Sequence, residues 1–149
     1  MSARDLAQYL VKKYGPIAPA RLQKLLYYCQ AWSLAWDNVR LFVDPIEAWA
    51  TGPIMPDVWE ATRASSMVSE VPGATPIELD SDAVTTIASV MEYYGQMGAQ
   101  VLSDLTHAED PWIRARVAAG VVDGEPSNEI VSIDSIRSYY SSLDRAREQ

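Results

Sequence analysis

The sequence predicts an all-α or strongly α-dominated domain of about six to seven helices, with room for one very short two-stranded sheet and with residues 1–149 as a single unit. Three observations carry that prediction. Apolar residues recur with a period near 3.6 in most stretches long enough to judge. Those stretches are bounded by helix start and stop signals, such as Ser2 with Asp5 before the first and Gly15-Pro16 after it. Strand-like alternation is confined to a few residues around Ile46 to Ala50.

The elements follow in order. Ser2 and Asp5 form a capping-box-like start, with Asp in place of Glu, and Leu6, Tyr9, Leu10 and Lys13 fall at helical spacing. The second helix runs from about Pro19 to Trp36. Leu22, Leu25, Leu26, Cys29, Trp32 and Trp36 make one stripe, which places both tryptophans in the core. Tyr27, Tyr28, Ala31 and Leu34 cover much of the rest, so this helix should pass through the centre of the fold. Ile46, Ala48 and Ala50 alternate with Glu47 and Trp49, Gly52-Pro53 is read as a turn, and Pro56 opens a helix to about Ala64 with Asp57 and Glu60 in its first turn. Ser65 to Pro76 reads as a surface loop and the best site for changes of length. Asp80 or Ser81 caps a long helix whose stripe is Val84, Ile87, Ala88, Met91 and Tyr94, and Gly95 ends or kinks it. A shorter helix takes in Val101, Leu102 and Leu105.

Two starts compete for the next helix. Thr106 with Glu109 is a capping-box pattern, but it would bury Pro111 inside the helix, where proline lacks a donor and clashes with the preceding turn. Asp110 as cap with Pro111 first avoids this, and the helix then ends before Gly120. Ile130 to Ile133 reads as a short extended segment. Asp134 or Ser132 caps a last helix carrying Ile136, Tyr139, Tyr140 and Leu143, frayed beyond Arg145.

Composition narrows the function. A chain of 149 residues that is 48% hydrophobic can bury roughly two-thirds of its unfolded surface in one core. The sequence has no charged-then-apolar leader and no apolar run of membrane-spanning length, so a cytoplasmic protein without membrane partners is expected. One cysteine, Cys29, and one histidine, His107, exclude an internal disulfide and a four-ligand Cys/His zinc site within one chain. No metal and no cofactor are expected.

The charge of −8 is segregated. Between Ala64 and Ile113 there is no Lys or Arg, while Glu70, Glu78, Asp80, Asp82, Glu92, Asp104, Glu109 and Asp110 add eight negatives; the flanks balance at twelve acids and twelve bases. Such a segment repels a phosphate backbone, so direct nucleic-acid binding is not expected, and it attracts a basic protein surface. Glu70, Glu78, Asp80 and Asp82 are the candidate partner-facing acids. Their other reading is solubility.

An enzyme, the small-hydrolase reading, would need Cys29 or a serine with His107 as base. Cys29 sits on the buried stripe of the second helix, where it fits as a small apolar residue. His107 stands in a polar turn, where it can lock that turn through Asp104, Asp110 or a carbonyl, or contact a partner. The glycines are isolated and make no phosphate loop. Asp80/Asp82 and Glu109/Asp110 lack the ligand number of a calcium site. Trp49, Trp59 and Trp112 flank turns and can either seal the core or anchor a partner. Arg21, Lys24, Arg114 and Arg116 could gather into a basic spot, though not a nucleic-acid stripe.

Three blocks remain: Arg21-Leu-Gln-Lys-Leu-Leu-Tyr-Tyr-Cys-Gln-Ala-Trp32, Glu47-Ala-Trp-Ala-Thr-Gly-Pro-Ile-Met-Pro-Asp-Val-Trp59, and Leu105-Thr-His-Ala-Glu-Asp-Pro-Trp112. In this order they resemble the Panacea domain, the antitoxin half of many bacterial and phage toxin–antitoxin pairs, related to phage-associated proteins and to a proteolytic-adaptor antitoxin. The family pattern falls on Lys24, Leu25, Tyr28, Glu47, Ala48, Trp49, Gly52, Pro53, Pro56, Thr106, His107, Asp110, Pro111 and Trp112, with Trp59 closing the second block; Ile54 stands where a valine is common. The resemblance implies a small helical protein that is not an enzyme and neutralises a cognate toxin, encoded beside it, by direct binding. The alternative it implies is an adaptor that delivers the toxin to an ATP-dependent protease. Family promiscuity points to the loop at 65–80 and the outer helix faces as the partner-selecting surface. No operator-binding motif is present, so self-repression of an operon is not implied.

Overall fold

The computed structural model describes residues 1–147. Among them are seven helices, six of which surround the seventh, with one two-stranded sheet at the side.

The first helix, α1 (Ala3–Tyr14), begins with the expected capping box: Ser2 Oγ accepts from Asp5 N–H and Asp5 Oδ2 accepts from Ser2 N–H, both at 3.2 Å. Gly15, at φ +92°, ends it. The second, α2 (Pro19–Asp37), has every residue from Leu22 to Leu34 buried. A helix without a wetted face must satisfy its polar side chains internally, and Gln23 and Gln30 do so by binding backbone. Gln23 accepts from Met55 N–H at 2.8 Å and donates to Met55 O at 3.2 Å. Gln30 accepts from Leu41 N–H at 2.7 Å and donates to Phe42 O at 2.8 Å.

Trp36 corrects the expected stripe. It is 41% exposed, because the last turn of α2 runs past the core; its ring lies 4.9 Å from that of buried Trp32 and its N–H reaches Asp144 at 3.2 Å.

Strands β1 (Glu47–Trp49) and β2 (Gly52–Ile54) pair antiparallel, Glu47 with Ile54, Ala48 with Pro53 and Trp49 with Gly52. Gly52-Pro53 is therefore strand, and the chain turns two residues earlier, at Ala50-Thr51. Proline is tolerated here because β2 is an edge strand, whose missing N–H leaves no ladder partner behind. On the other side of β1 the extended segment around Ile130 bridges to Glu47.

Helix α3 (Pro56–Thr62) starts with Pro56 in its first turn and stops short of Ala64. The loop that follows is more firmly held than expected: Val68 and Val71 are buried, Ile17 and Val68 exchange two backbone hydrogen bonds, and Gln8 accepts from Val71 N–H at 2.7 Å. Length changes near Val68 and Val71 would break these ties. In α4 (Ser81–Tyr94), Asp80 is the cap, and the buried face is Ala83, Thr86, Ile87, Val90, Met91 and Tyr94; Ala88 is exposed and Val84 half-buried, so the stripe is rotated from the expected one.

Helix α5 (Ala99–His107) buries Leu102 and Thr106 and leaves Val101 exposed. Helix α6 (Asp110–Ala119) has Glu109, not Asp110, as its N-cap, with no side-chain cap bond and with Pro111 in the first turn. Ser132 caps α7 (Ile133–Arg147), accepting from Ser135 N–H at 3.2 Å. This helix continues through Arg147, so fraying does not begin at Arg145; the remainder of that expectation lies outside the described residues. Helices α7 and α4 make the most extensive contacts with α2, and one hydrophobic cluster unites the elements.

Candidate functional site

Three consecutive carbonyls of the hairpin organise the region where the motif residues meet. Ala48 O accepts from Arg116 at 3.2 Å, Trp49 O from the Trp112 indole N–H at 2.9 Å, and Ala50 O lies 3.1 Å from His107 Nε2. The other ring nitrogen of His107 faces Ser103 O at 2.6 Å. The His107 ring packs 4.1 Å from Trp112, and the Arg116 guanidinium lies 5.4 Å from the same indole. Helices α5 and α6 are thus fastened to the hairpin by side chains one helical turn or so apart. Arg116 also donates to Val122 O at 3.0 Å and Glu125 O at 2.7 Å, so one buried arginine satisfies carbonyls from three places.

Beneath the hairpin lies Lys24, 3% exposed. Gly52, at φ +127°, sits against it: a Cβ on Gly52 would stand 2.8 Å from Lys24 Cε and 3.4 Å from Thr106 Oγ1. Glycine is required here both by its left-handed φ and by the lysine. Burial draws the Lys24 ammonium down to about 8. Thr106 lies in the last turn of α5, whose carbonyl end carries partial negative charge and favours a nearby cation.

Tyr28 joins α2 to α6 through Glu109. Glu109 Oε1 accepts from the Tyr28 hydroxyl at 2.7 Å and from the Tyr140 hydroxyl at 2.8 Å, and the Tyr27 and Tyr140 hydroxyls are 3.1 Å apart. Tyr28 stacks on Tyr94 at 4.0 Å. Burial raises the Glu109 carboxyl above its ordinary value, against the pull of the two tyrosine hydrogen bonds, and raises the Tyr28 hydroxyl strongly. The N-cap residue of α6 therefore gives its carboxylate to the core.

The remaining expected residues are placed as follows. Trp49 donates to Glu47 at 2.8 Å and meets Trp59 edge-on at 6.3 Å, both indoles being half-buried. Pro53 pairs with Ala48, Pro56 opens α3, and Pro111 is buried beside Trp112. Asp110 points outward and binds Arg114 at 3.2 Å. Arg21 donates to Met97 O at 3.0 Å and to Gly95 O. With Arg116 buried and Arg114 paired, the four cations do not gather into a basic spot.

The four acids separate into two places. Glu70 binds Lys12 and Gln8 on α1. Glu78, Asp80 and Asp82 instead line, with Asp37 and Arg40, a cavity of about 330 Å³ at the end of α2. Asp80 is occupied as the cap of α4 through Ala83 N–H at 2.8 Å. Among the described residues no group of three or more His, Cys, Asp or Glu is arranged to hold a metal ion. Cys29 is fully buried and its thiol is pushed up to about 12, far from the thiolate that nucleophilic chemistry needs.

Sequence reasoning missed Glu109, Tyr140 and the carbonyl-binding role of Arg116. Tyr140 had a signal, its place on the apolar stripe of α7. Glu109 and Arg116 had none, since charged side chains in this segment read as solvated.

The family model for the antitoxin SocA-like Panacea domain matches residues 22–113. Neither the curated proteins nor the solved structures yielded a match. No helix among the described residues is long and apolar enough to cross a membrane.

Proposed function

The chain belongs to the SocA-like Panacea antitoxin family, and from that premise we propose that it is a cytoplasmic antitoxin, the whole chain acting as one domain, that neutralises a protein toxin encoded beside it by binding the toxin directly. The observation that carries this reading is the family match, which spans all three motif blocks nearly in full. Two features of the fold support binding over catalysis. The thiol of Cys29 is buried and its pKa pushed up, and the ring nitrogens of His107 face Ala50 O of the hairpin and Ser103 O one turn back in α5. The motif residues thus serve as a frame, and partner choice falls to the surface around it.

The acidic segment supports a partner with a basic surface. Glu78, Asp80 and Asp82 lie together with Asp37, and their summed field attracts a cationic patch and accelerates encounter.

Co-expression with the adjacent reading frame tests the proposal. The neighbour should be toxic alone, harmless with this chain, and recovered with it in a stable complex. A neighbour that is harmless alone, or rescue without a complex, overturns direct neutralisation. Rescue that disappears in cells lacking an ATP-dependent protease would identify delivery to that protease as the route.

A further inference from the structure

The sheet has an open edge. Ile130 bridges Glu47 as a wide pair: Ala48 N–H donates to Glu129 O at 2.8 Å and Val131 N–H donates to Ile46 O at 2.7 Å. In an antiparallel pair of this kind the N–H and C=O of the middle residue point away from the partner strand. Those of Ile130 therefore face outward from β1, and neither makes a hydrogen bond among the described residues; the same holds for the backbone groups of Asn128. The Ile130 side chain is 51% exposed. An uncovered edge with an exposed β-branched residue is a template for another extended chain.

Next to that edge the chain parts from β1. A cavity of about 670 Å³ opens between them, lined by Glu47, Trp49, Ala50 and Thr51 from the hairpin and by Pro126 and Asn128 opposite. It has room for more than one large side chain. Charge selects the occupant. Glu47 lines the cavity and Asp123, Glu125 and Glu129 follow along the same segment, with no Lys or Arg paired to any of them among the described residues. Arg116, which reaches this segment, is buried and held by three carbonyls. Two copies of this chain meeting edge to edge would bring the same carboxylates together, which disfavours self-pairing.

We propose that this edge and cavity seat one extended segment of the toxin, paired through the backbone of Ile130, with an apolar side chain in the cavity and a Lys or Arg beside Glu47. The proposal rests on the antitoxin reading above and names the surface that reading leaves open.

The test uses the full chain and the protein encoded by the adjacent reading frame. Ile130→Pro removes the outward N–H and spares the bonds of Glu129 and Val131; Asn128→Trp, at an exposed position on the cavity wall, obstructs it. Each should raise the Kd at least about tenfold while melting stays near that of the wild type. In hydrogen exchange of the wild type, the Ile130 amide should be protected only when the neighbour protein is bound. Should Ile130→Pro fail to fold, Asn128→Trp and the exchange measurement still decide. A wild-type complex that tolerates both variants, with the Ile130 amide still exchanging freely, overturns this site and leaves the antitoxin reading standing. Protection of that amide without the partner overturns it in favour of self-association. A neighbour that neither poisons cells nor binds the wild type removes the antitoxin reading, and this one with it.

Discussion

The indole N–H of Trp112 donates to the carbonyl of Trp49 at 2.9 Å, joining residues 63 positions apart in the chain. Because His107 reaches the next carbonyl and Arg116 the preceding one, the turn between α5 and α6 and the hairpin behave as one unit.

Loosening that unit should cost stability before it costs binding. Pro111→Ala with His107→Ala removes a preset dihedral and a hydrogen bond to Ala50 O, and should lower stability by about 1–3 kcal/mol in chemical denaturation. Unchanged melting with neutralisation lost would mean that this block is an interface.

Gly52→Ala should be destabilising for two reasons at once. A side chain at φ +127° is strained by about 1–3 kcal/mol, and its Cβ would press on Lys24. In a Lys24→Ala background, which lacks the lysine Cε, Gly52→Ala should cost less than in the wild type, but only part of the loss should be recovered, since the backbone strain remains. Full recovery would place the whole effect on the lysine.

Glu109 gives a pH dependence of known sign. Its carboxyl is raised in the folded protein, chiefly by burial, so the folded state holds a proton that the unfolded chain has released. Its contribution is therefore greatest below the ordinary value of 4.5 and is lost as pH rises through the folded value. Asp5, lowered chiefly by the Thr75 N–H, and Asp57, lowered chiefly by Arg4, act the opposite way, losing their contribution on acidification. Those two are common to wild type and Glu109→Gln and cancel in the comparison. The stability of the wild type relative to Glu109→Gln should fall with rising pH across that window. A difference that is flat, or that grows with pH, contradicts the burial.

If the proposed toxin partner is steered by this acidity, replacing Glu70, Glu78, Asp80 and Asp82 by Gln or Asn should slow association with it and flatten the dependence on salt. Asn at position 80 preserves the cap of α4. Stopped-flow rates at low and high ionic strength decide this. Equal rates and equal slopes would mean that these acids serve solubility.

Most of the helices were legible because their signals are local. The Ser2/Asp5 box, the apolar surround of α2 and Asp80 as a cap each depend on residues a turn apart. What was not legible depends on distant partners. Gly52-Pro53 reads as a turn in isolation, and becomes strand only because β1 lies beside it. Trp36 fits the α2 stripe, but periodicity cannot show where the core stops. Glu109 has the pattern of a capping acid, yet two tyrosine hydroxyls from α2 and α7 compete for its carboxylate and win. The expected motif residues do converge, on the hairpin and its supports, while the four acids divide between α1 and the end of α2.

The helix that has no wetted face sets a constraint on synthesis. Residues 22 to 34 leave the ribosome before α7, which shields Tyr27 and Trp32 on one side. Until then the nascent chain displays the sticky surface that chaperones and proteases recognise. A message cut before the codons of α7 would therefore yield a fragment with that surface still uncovered.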